Sequence, residues 1–184
     1  MHNFREKITD VENDSSYIDR EGGGPSYRAV DSHVPGDFLA QYDWYLATHQ
    51  AALARRSSKA LADTRILVAG RNELMDDYLR TPGRYLAFCE WHQRNGVAAQ
   101  WVDPRCAEQL RWKYGLHDAD VALWDRYAVL FTPNGEGPGV TFSMVFAGEG
   151  EHNGMSYERI SCFVDEMENN ANLLPDLPFR TSRG

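Results

Sequence analysis

A histidine and three nearby aspartates have the residue types and spacing of an acid–base site. His117 and Asp118 are adjacent, Asp120 follows closely, and Asp125 lies beyond a short apolar run. A histidine can exchange a proton near neutral pH, and a neighbouring carboxylate can orient its ring. The functional interpretation makes His117 a general base or nucleophile, with Asp118 or Asp125 as its partner. In the alternative interpretation these residues form a polar turn after the helix that ends at Gly115.

Five aromatic or imidazole side chains are predicted to contact a ligand in an aromatic-lined cleft. Three of them, Tyr42, Tyr45 and His49, share one face of a predicted helix that begins after Asp37. The alternative is that all five are packed in the core, where such side chains are common on apolar helix faces. Cys89 and His92 share a helix face. They could form a thiol–imidazole pair or half of a metal site, and the alternative is that both are simply packed in the core. The five ligand-contacting candidates are Tyr42, Tyr45, His49, His92 and Trp124.

The glycine-rich segments do not have the spacing of known cofactor loops. Residues 134–139 contain neither GxGxxG nor GxxxxGK, and residues 148–154 lack the alternating ligands of a calcium loop. The sequence also contains no GxSxG and no HExxH. It therefore predicts no cofactor and no metal site.

Composition narrows the class of protein and of partner. The chain has 184 residues, a formal net charge of −8 and three cysteines without CxxC spacing. Such acidity disfavours nucleic acid and anionic membranes as partners, and no segment is apolar enough for a membrane span. Scattered cysteines and an N-terminus without the apolar core of a signal peptide predict reduced thiols in the cytoplasm. The remaining partners are a small-molecule ligand or another protein.

Periodicity predicts one α/β domain with a mixed sheet and helices on both of its faces. Residues 1–36 are predicted to be a flexible N-terminal arm, residues 37–174 the domain, and residues 175–184 a C-terminal tail. Asp103-Pro104 and Ser156 are expected to start helices, and Gly115 to end one. The predicted strands are 66–70, 97–102, 120–125, 127–131 and 140–146. One helix is predicted after residue 37, three over 72–80, 85–94 and 104–114, and a last one after residue 156.

Several of these segments together resemble one repeat of the phospholipase D-like fold. The resemblance is carried by Gln93-Arg94-Asn95-Gly96-Val97, which leads from a helix into a strand, and by the hairpin around Asp125. The chain is also similar to small actinobacterial proteins that are often encoded beside helix-turn-helix regulators. That similarity rests on Asp77-Tyr78-Leu79-Arg80 and on Trp124-Asp125-Arg126-Tyr127-Ala128-Val129-Leu130-Phe131, and it covers roughly residues 63–170.

The phospholipase D-like motif is incomplete in this chain. The family places a lysine two residues after its histidine and an aspartate seven residues after it, whereas Ala119 and Trp124 occupy those positions relative to His117. The resemblance therefore implies a binding or regulatory module on a phospholipase D-like scaffold without the full catalytic motif, and a homodimer. The alternative is a small biosynthetic transferase or hydrolase that uses His117 and the nearby aspartates for acid–base or nucleophilic chemistry.

Overall fold

The computed structural model describes residues 27–32, 63–79, 83–124, 127–133, 140–151 and 154–173. In this part of the chain seven strands and four helices form a mixed α/β fold. The strands are β1 (Tyr27–Asp31), β2 (Thr64–Val68), β3 (Ala98–Val102), β4 (Asp120–Trp124), β5 (Tyr127–Pro133), β6 (Val140–Phe146) and β7 (Asn172–Leu173). The helices are α1 (Arg71–Leu79), α2 (Arg84–Arg94), α3 (Pro104–Tyr114) and α4 (Tyr157–Asn170).

The strands form one sheet in the order β6-β5-β4-β1-β2-β3-β7. β1, β2 and β3 are parallel, while β4, β5 and β6 extend the sheet on the other side of β1 by antiparallel pairing. The mixed sheet predicted from the sequence is confirmed, and so is the hairpin of β4 and β5. Its turn, Asp125 and Arg126, lies outside the described residues, as does the predicted helix after residue 37.

The central strand β1 lies in a segment that the sequence predicts as a flexible arm. Its five residues include Arg28 and Asp31, so the segment shows no apolar run that would predict a buried strand. Both charges are balanced by residues distant in sequence: Arg28 contacts Asp165 and Glu168 on α4, and Asp31 contacts Arg65 on β2. The rest of the predicted arm and the predicted tail after residue 174 lie outside the described residues.

Helices cover both faces of the sheet, as the sequence predicts. On one face α3 and α4 bury a core against β1 to β6, to which α4 contributes Ile160, Phe163, Val164 and Met167, each 0% exposed. On the other face α1 and α2 pack Leu74, Tyr85, Phe88 and Cys89 against β2 and β3. Because side chains alternate along each strand, the strands contribute apolar residues to the clusters on both faces of the sheet.

Helix ends follow the predicted signals. The Asp103 side chain accepts a hydrogen bond from the Arg105 backbone N–H, with Pro104 in the first turn of α3. Gly115 ends α3 in the left-handed conformation at φ 69°, which a residue without Cβ adopts at low cost. Ser156 caps α4 by accepting from the Arg159 N–H. Local sequence therefore sets these boundaries.

Candidate binding site at the carboxyl end of the central strand

A charged cluster lies where the carboxyl end of β1 meets the start of β4, and Arg65 reaches it from the neighbouring strand β2. Asp31 is the last residue of β1, Ser32 follows it, and Asp120 opens β4. From β1 the sheet extends to β2 and β3 on one side and to β4, β5 and β6 on the other. Open α/β sheets bind ligands outside the carboxyl ends of their strands, at the strand where connections diverge in two directions.

Asp31 and Arg65 form the inner pair of this cluster. The Arg65 Nε and Nη2 atoms lie 2.5 and 2.8 Å from the two carboxylate oxygens of Asp31, which is the bidentate geometry of a strong ion pair. Only 10% of the Arg65 side chain and 17% of the Asp31 side chain are exposed. The Arg65 guanidinium also lies over the Phe88 ring of α2, 5.6 Å from its centroid. Strand β2 and helix α2 therefore fix this pair.

Asp120 and Arg111 form the outer pair, joined through Ser32. The Asp120 Oδ1 atom accepts hydrogen bonds from the Ser32 backbone N–H at 2.8 Å and from the Ser32 hydroxyl at 2.6 Å. Arg111, in the last turn of α3, donates from Nη2 to the same Oδ1 at 3.2 Å and to the Ser32 hydroxyl oxygen. Oδ1 thus accepts all three of the hydrogen bonds that Asp120 receives within the described residues.

The outer pair leaves hydrogen-bonding capacity unused. Within the described residues, no hydrogen bond reaches the second carboxylate oxygen of Asp120, and 28% of that side chain is exposed. The Arg111 Nε atom is buried and likewise has no acceptor in this part of the chain. A bidentate arginine–carboxylate pair would satisfy both atoms. The observed pair instead presents a carboxylate oxygen that can accept from a bound molecule.

Burial and a second carboxylate perturb the titration of Asp120. Burial, reinforced by the negative charge of Asp31, raises the pKa of Asp120 from 3.8 to about 6. The two hydrogen bonds from Ser32 and the charge of Arg111 act in the opposite direction without cancelling the rise. A carboxyl group in this range changes its charge close to neutral pH, which is the property required of a general acid or base.

The turn before β4 contains two of the residues predicted to be catalytic. His117 and Asp118 are both exposed, and Asp118 has a positive φ of 54°, which aspartate tolerates in turns. The His117 ring packs edge-on against Trp112 at 4.4 Å between centroids, and no hydrogen bond joins the His117 and Asp118 side chains within the described ranges. Their catalytic roles stay predictions. Asp125 lies outside the described residues.

Two of the residues predicted to contact a ligand are described, and both are buried. His92 is 0% exposed, and its Nδ1 lies 2.7 Å from the Phe88 carbonyl oxygen, to which it donates because a carbonyl can only accept. Its ring packs against those of Phe88 and Trp91, and its helix neighbour Cys89 is buried too. Trp124 is 1% exposed. Their ligand-contacting role stays a prediction, as it does for Tyr42, Tyr45 and His49 outside the described residues.

Sequence reasoning included Asp120 in the acid–base group but not the residues that surround it. Asp31 ends β1 and Ser32 follows it, whereas Arg65 comes from β2 and Arg111 from α3. Ser32 stands 88 positions from Asp120. The only local signal is an aspartate followed by a serine, Asp31-Ser32. That signal is equally typical of a turn.

The described part of the chain contains no candidate metal site. It has no group of three or more His, Cys, Asp or Glu side chains placed to hold a metal ion. None of its helices is long and apolar enough to cross a bilayer. No disulfide joins the three cysteines, all of which lie in this part of the chain.

Comparisons with protein-family models, with curated proteins and with solved structures gave no match to this chain.

Proposed function

We propose that the protein is a small-ligand-binding module and that its ligand contacts Asp120 at the carboxyl end of β1. One observation carries this proposal. Within the described residues, the second carboxylate oxygen of Asp120 accepts no hydrogen bond, although Ser32 and Arg111 hold this half-buried carboxylate in place. Keeping an ionised carboxylate partly buried and close to the negative charge of Asp31 costs free energy. A bound group that donates a hydrogen bond to it would offset that cost.

The chemistry of the cluster favours a ligand that offers an N–H donor, such as an amine, a guanidino group or an amide. The open atom is an acceptor, because Asp120 is ionised above a pKa of about 6. The guanidinium of Arg65 is engaged by Asp31, and that of Arg111 by Ser32 and Asp120. The cluster is therefore neutral when Asp120 is ionised, and the net charge of −8 attracts cations to the molecule.

We further propose that the scaffold is a phospholipase D-like single repeat without catalytic function, acting in the cytoplasm in a regulatory role. The passage from α2 through Asn95-Gly96 into β3, followed by the hairpin of β4 and β5, supports this relationship. Ala119 stands where the family has its lysine. We therefore expect no hydrolysis of a generic phosphodiester such as bis(p-nitrophenyl) phosphate, and turnover that His117→Ala abolishes would refute the proposal of a non-catalytic scaffold.

A thermal-shift screen tests the binding function directly, since a ligand that binds only the native state raises the unfolding midpoint. The panel should contain amines, guanidino compounds and amides in one group, and carboxylates and phosphates in another. We expect midpoint increases in the first group only. They should disappear in Asp120→Asn, which places an N–H donor where the free oxygen was.

Asp118→Asn is the matched control. It makes the same chemical change on an exposed turn residue two positions earlier, so it should keep the midpoint increases. Ligands that bind the control and Asp120→Asn equally well would exclude the cluster as the site. Midpoint increases confined to carboxylates or phosphates would exclude the proposed ligand class.

A second candidate function is supported by the pKa of Asp120. A carboxyl group that titrates near 6 beside a second carboxylate can act as the general acid or base of a small transferase or hydrolase. Under this alternative an activity should depend on pH near 6 and be lost in Asp120→Asn. An activity that His117→Ala abolishes and Asp120→Asn preserves would instead place the chemistry at the exposed turn.

A further inference from the structure

The two edges of the sheet differ in how well they resist pairing with another strand. β7, at one edge, has two residues. β6, at the other edge of the described sheet, has seven residues, Val-Thr-Phe-Ser-Met-Val-Phe, with no charged residue and no proline. Soluble proteins usually protect an edge by making it short, by charge or by proline, because the outer N–H and C=O groups of an edge strand are a template for another strand. Within the described residues, β6 is protected neither by a short length, nor by charge, nor by proline, and no further strand pairs with it.

The middle residue of β6 is exposed to solvent. Ser143 is the middle residue of the strand and pairs with Leu130 of β5, so both belong to the face that carries α3 and α4. Leu130 is 8% exposed, whereas Ser143 is exposed. Next to it, Val145 is 4% exposed and joins the core of that face. The strand is therefore anchored at one end and accessible at its centre.

We infer that β6 is an interaction surface for a second copy of this chain, whose own β6 adds to the sheet in antiparallel orientation. An antiparallel pair of identical strands is self-complementary about a two-fold axis, which is the commonest symmetry of homodimers. An uncharged strand meets its own copy without repulsion. With the axis at Ser143, the two serines face each other and each strand extends three residues to either side. This inference does not depend on the ligand-binding function.

Ser143→Lys tests the interface, because it sets two like charges directly opposite each other across the axis. The wild-type chain should sediment as a dimer, and we expect the substitution to weaken dimerisation by about tenfold or more. Thr132→Lys is the matched control: Thr132 is exposed on the same face of the neighbouring interior strand β5. It should leave the dimer dissociation constant unchanged.

Hydrogen exchange of the wild-type chain provides a measurement that needs no variant. The outward amides of β6 should become more protected as protein concentration rises, in parallel with the dimer fraction from sedimentation. A monomer whose β6 amides exchange quickly at every concentration would overturn the inference. Protection that is independent of concentration would also overturn it, since another segment of the same chain would then cover the edge. A dimer that Ser143→Lys leaves intact would show that the two copies meet elsewhere.

Discussion

At the scale of single residues, Asp120 connects stability to pH in a direction opposite to that of most aspartates. Its pKa is raised in the folded protein to about 6, so between 3.8 and 6 the folded state holds a proton that the unfolded chain has released. Stability from this group is therefore complete below pH 3.8 and is lost as the pH rises through 6. Burial and the charge of Asp31 are the cause.

Asp120→Asn should remove this dependence, because the amide resembles the protonated acid and keeps an oxygen for the Ser32 donors. The unfolding free energy of the variant minus that of the wild type should therefore rise by about 1–3 kcal/mol as the pH is raised from 4 to 7. Urea unfolding at a series of pH values measures the difference, in which the other titrating groups cancel. Parallel curves for the two proteins would contradict the raised pKa.

The surroundings of Asp120 could not be predicted from the sequence. Asp120 belongs to a recognisable group with His117, but Ser32 stands 88 positions from it and reaches it only through the fold. A sequence shows the type of a charged residue but not the burial or the neighbouring charge that shifts its pKa. Those two effects, rather than spacing, distinguish Asp120 from the exposed Asp118.

At the scale of elements, α1 supplies the cap of α2. The Asp77 carboxylate accepts hydrogen bonds from the backbone N–H groups of Arg84 and Tyr85, both at 2.9 Å. This arrangement requires glycine at position 83, because a Cβ there would lie 2.4 Å from the Asp77 carbonyl oxygen and 2.5 Å from its Oδ2. The close approach joins the two helices that cover Arg65 and its strand.

Gly83→Ala should therefore destabilise the protein by about 1–3 kcal/mol through overpacking, with part of the loss due to the displaced cap. Gly70→Ala is the control, since a Cβ at Gly70 meets nothing within 4 Å. Chemical denaturation of both variants measures the difference. If the two alanine variants were equally stable, the contact between Asp77 and Gly83 would not constrain the helices.

Helix α4 stabilises the opposite face through its buried side chains. Phe163→Ala should lower the unfolding free energy by about 3–5 kcal/mol, since it opens a cavity beneath a 0% exposed ring. Cys162→Ala, at the adjacent exposed position, should change it by less than about 0.5 kcal/mol. Thermal and urea unfolding compare the pair. Equal losses in both variants would contradict the packing of α4 on the sheet.

Most of these elements were predictable because their signals are local. The caps at Asp103 and Ser156, the stop at Gly115 and the alternation of β6 all lie within a few residues of the structure that they specify. β1 was missed because its charged residues, Arg28 and Asp31, suit a strand only in the presence of partners from α4 and β2. The order of the strands likewise depends on contacts between distant segments.

At the scale of the whole molecule, the sheet brings the charged cluster and the open edge to different places. The cluster lies at the carboxyl end of the central strand, whereas β6 is two strands beyond β4. Ligand binding and self-association should therefore be separable. Ser143→Lys should leave the midpoint increases with amine-bearing ligands intact, and their loss in the separated monomers would show that the two properties are coupled.

Chemical-shift mapping with the best amine-bearing compound from the thermal-shift screen locates the ligand-binding site on the structure. In ¹H–¹⁵N spectra recorded above pH 7, we expect the largest chemical-shift changes on ligand addition at the backbone amides of Ser32 and Asp120. The Ser32 amide is the most sensitive of these, because it donates to the carboxylate that the ligand contacts. Changes that gather on α2 or β6, with the Ser32 amide unmoved, would contradict a binding site at the carboxyl end of β1.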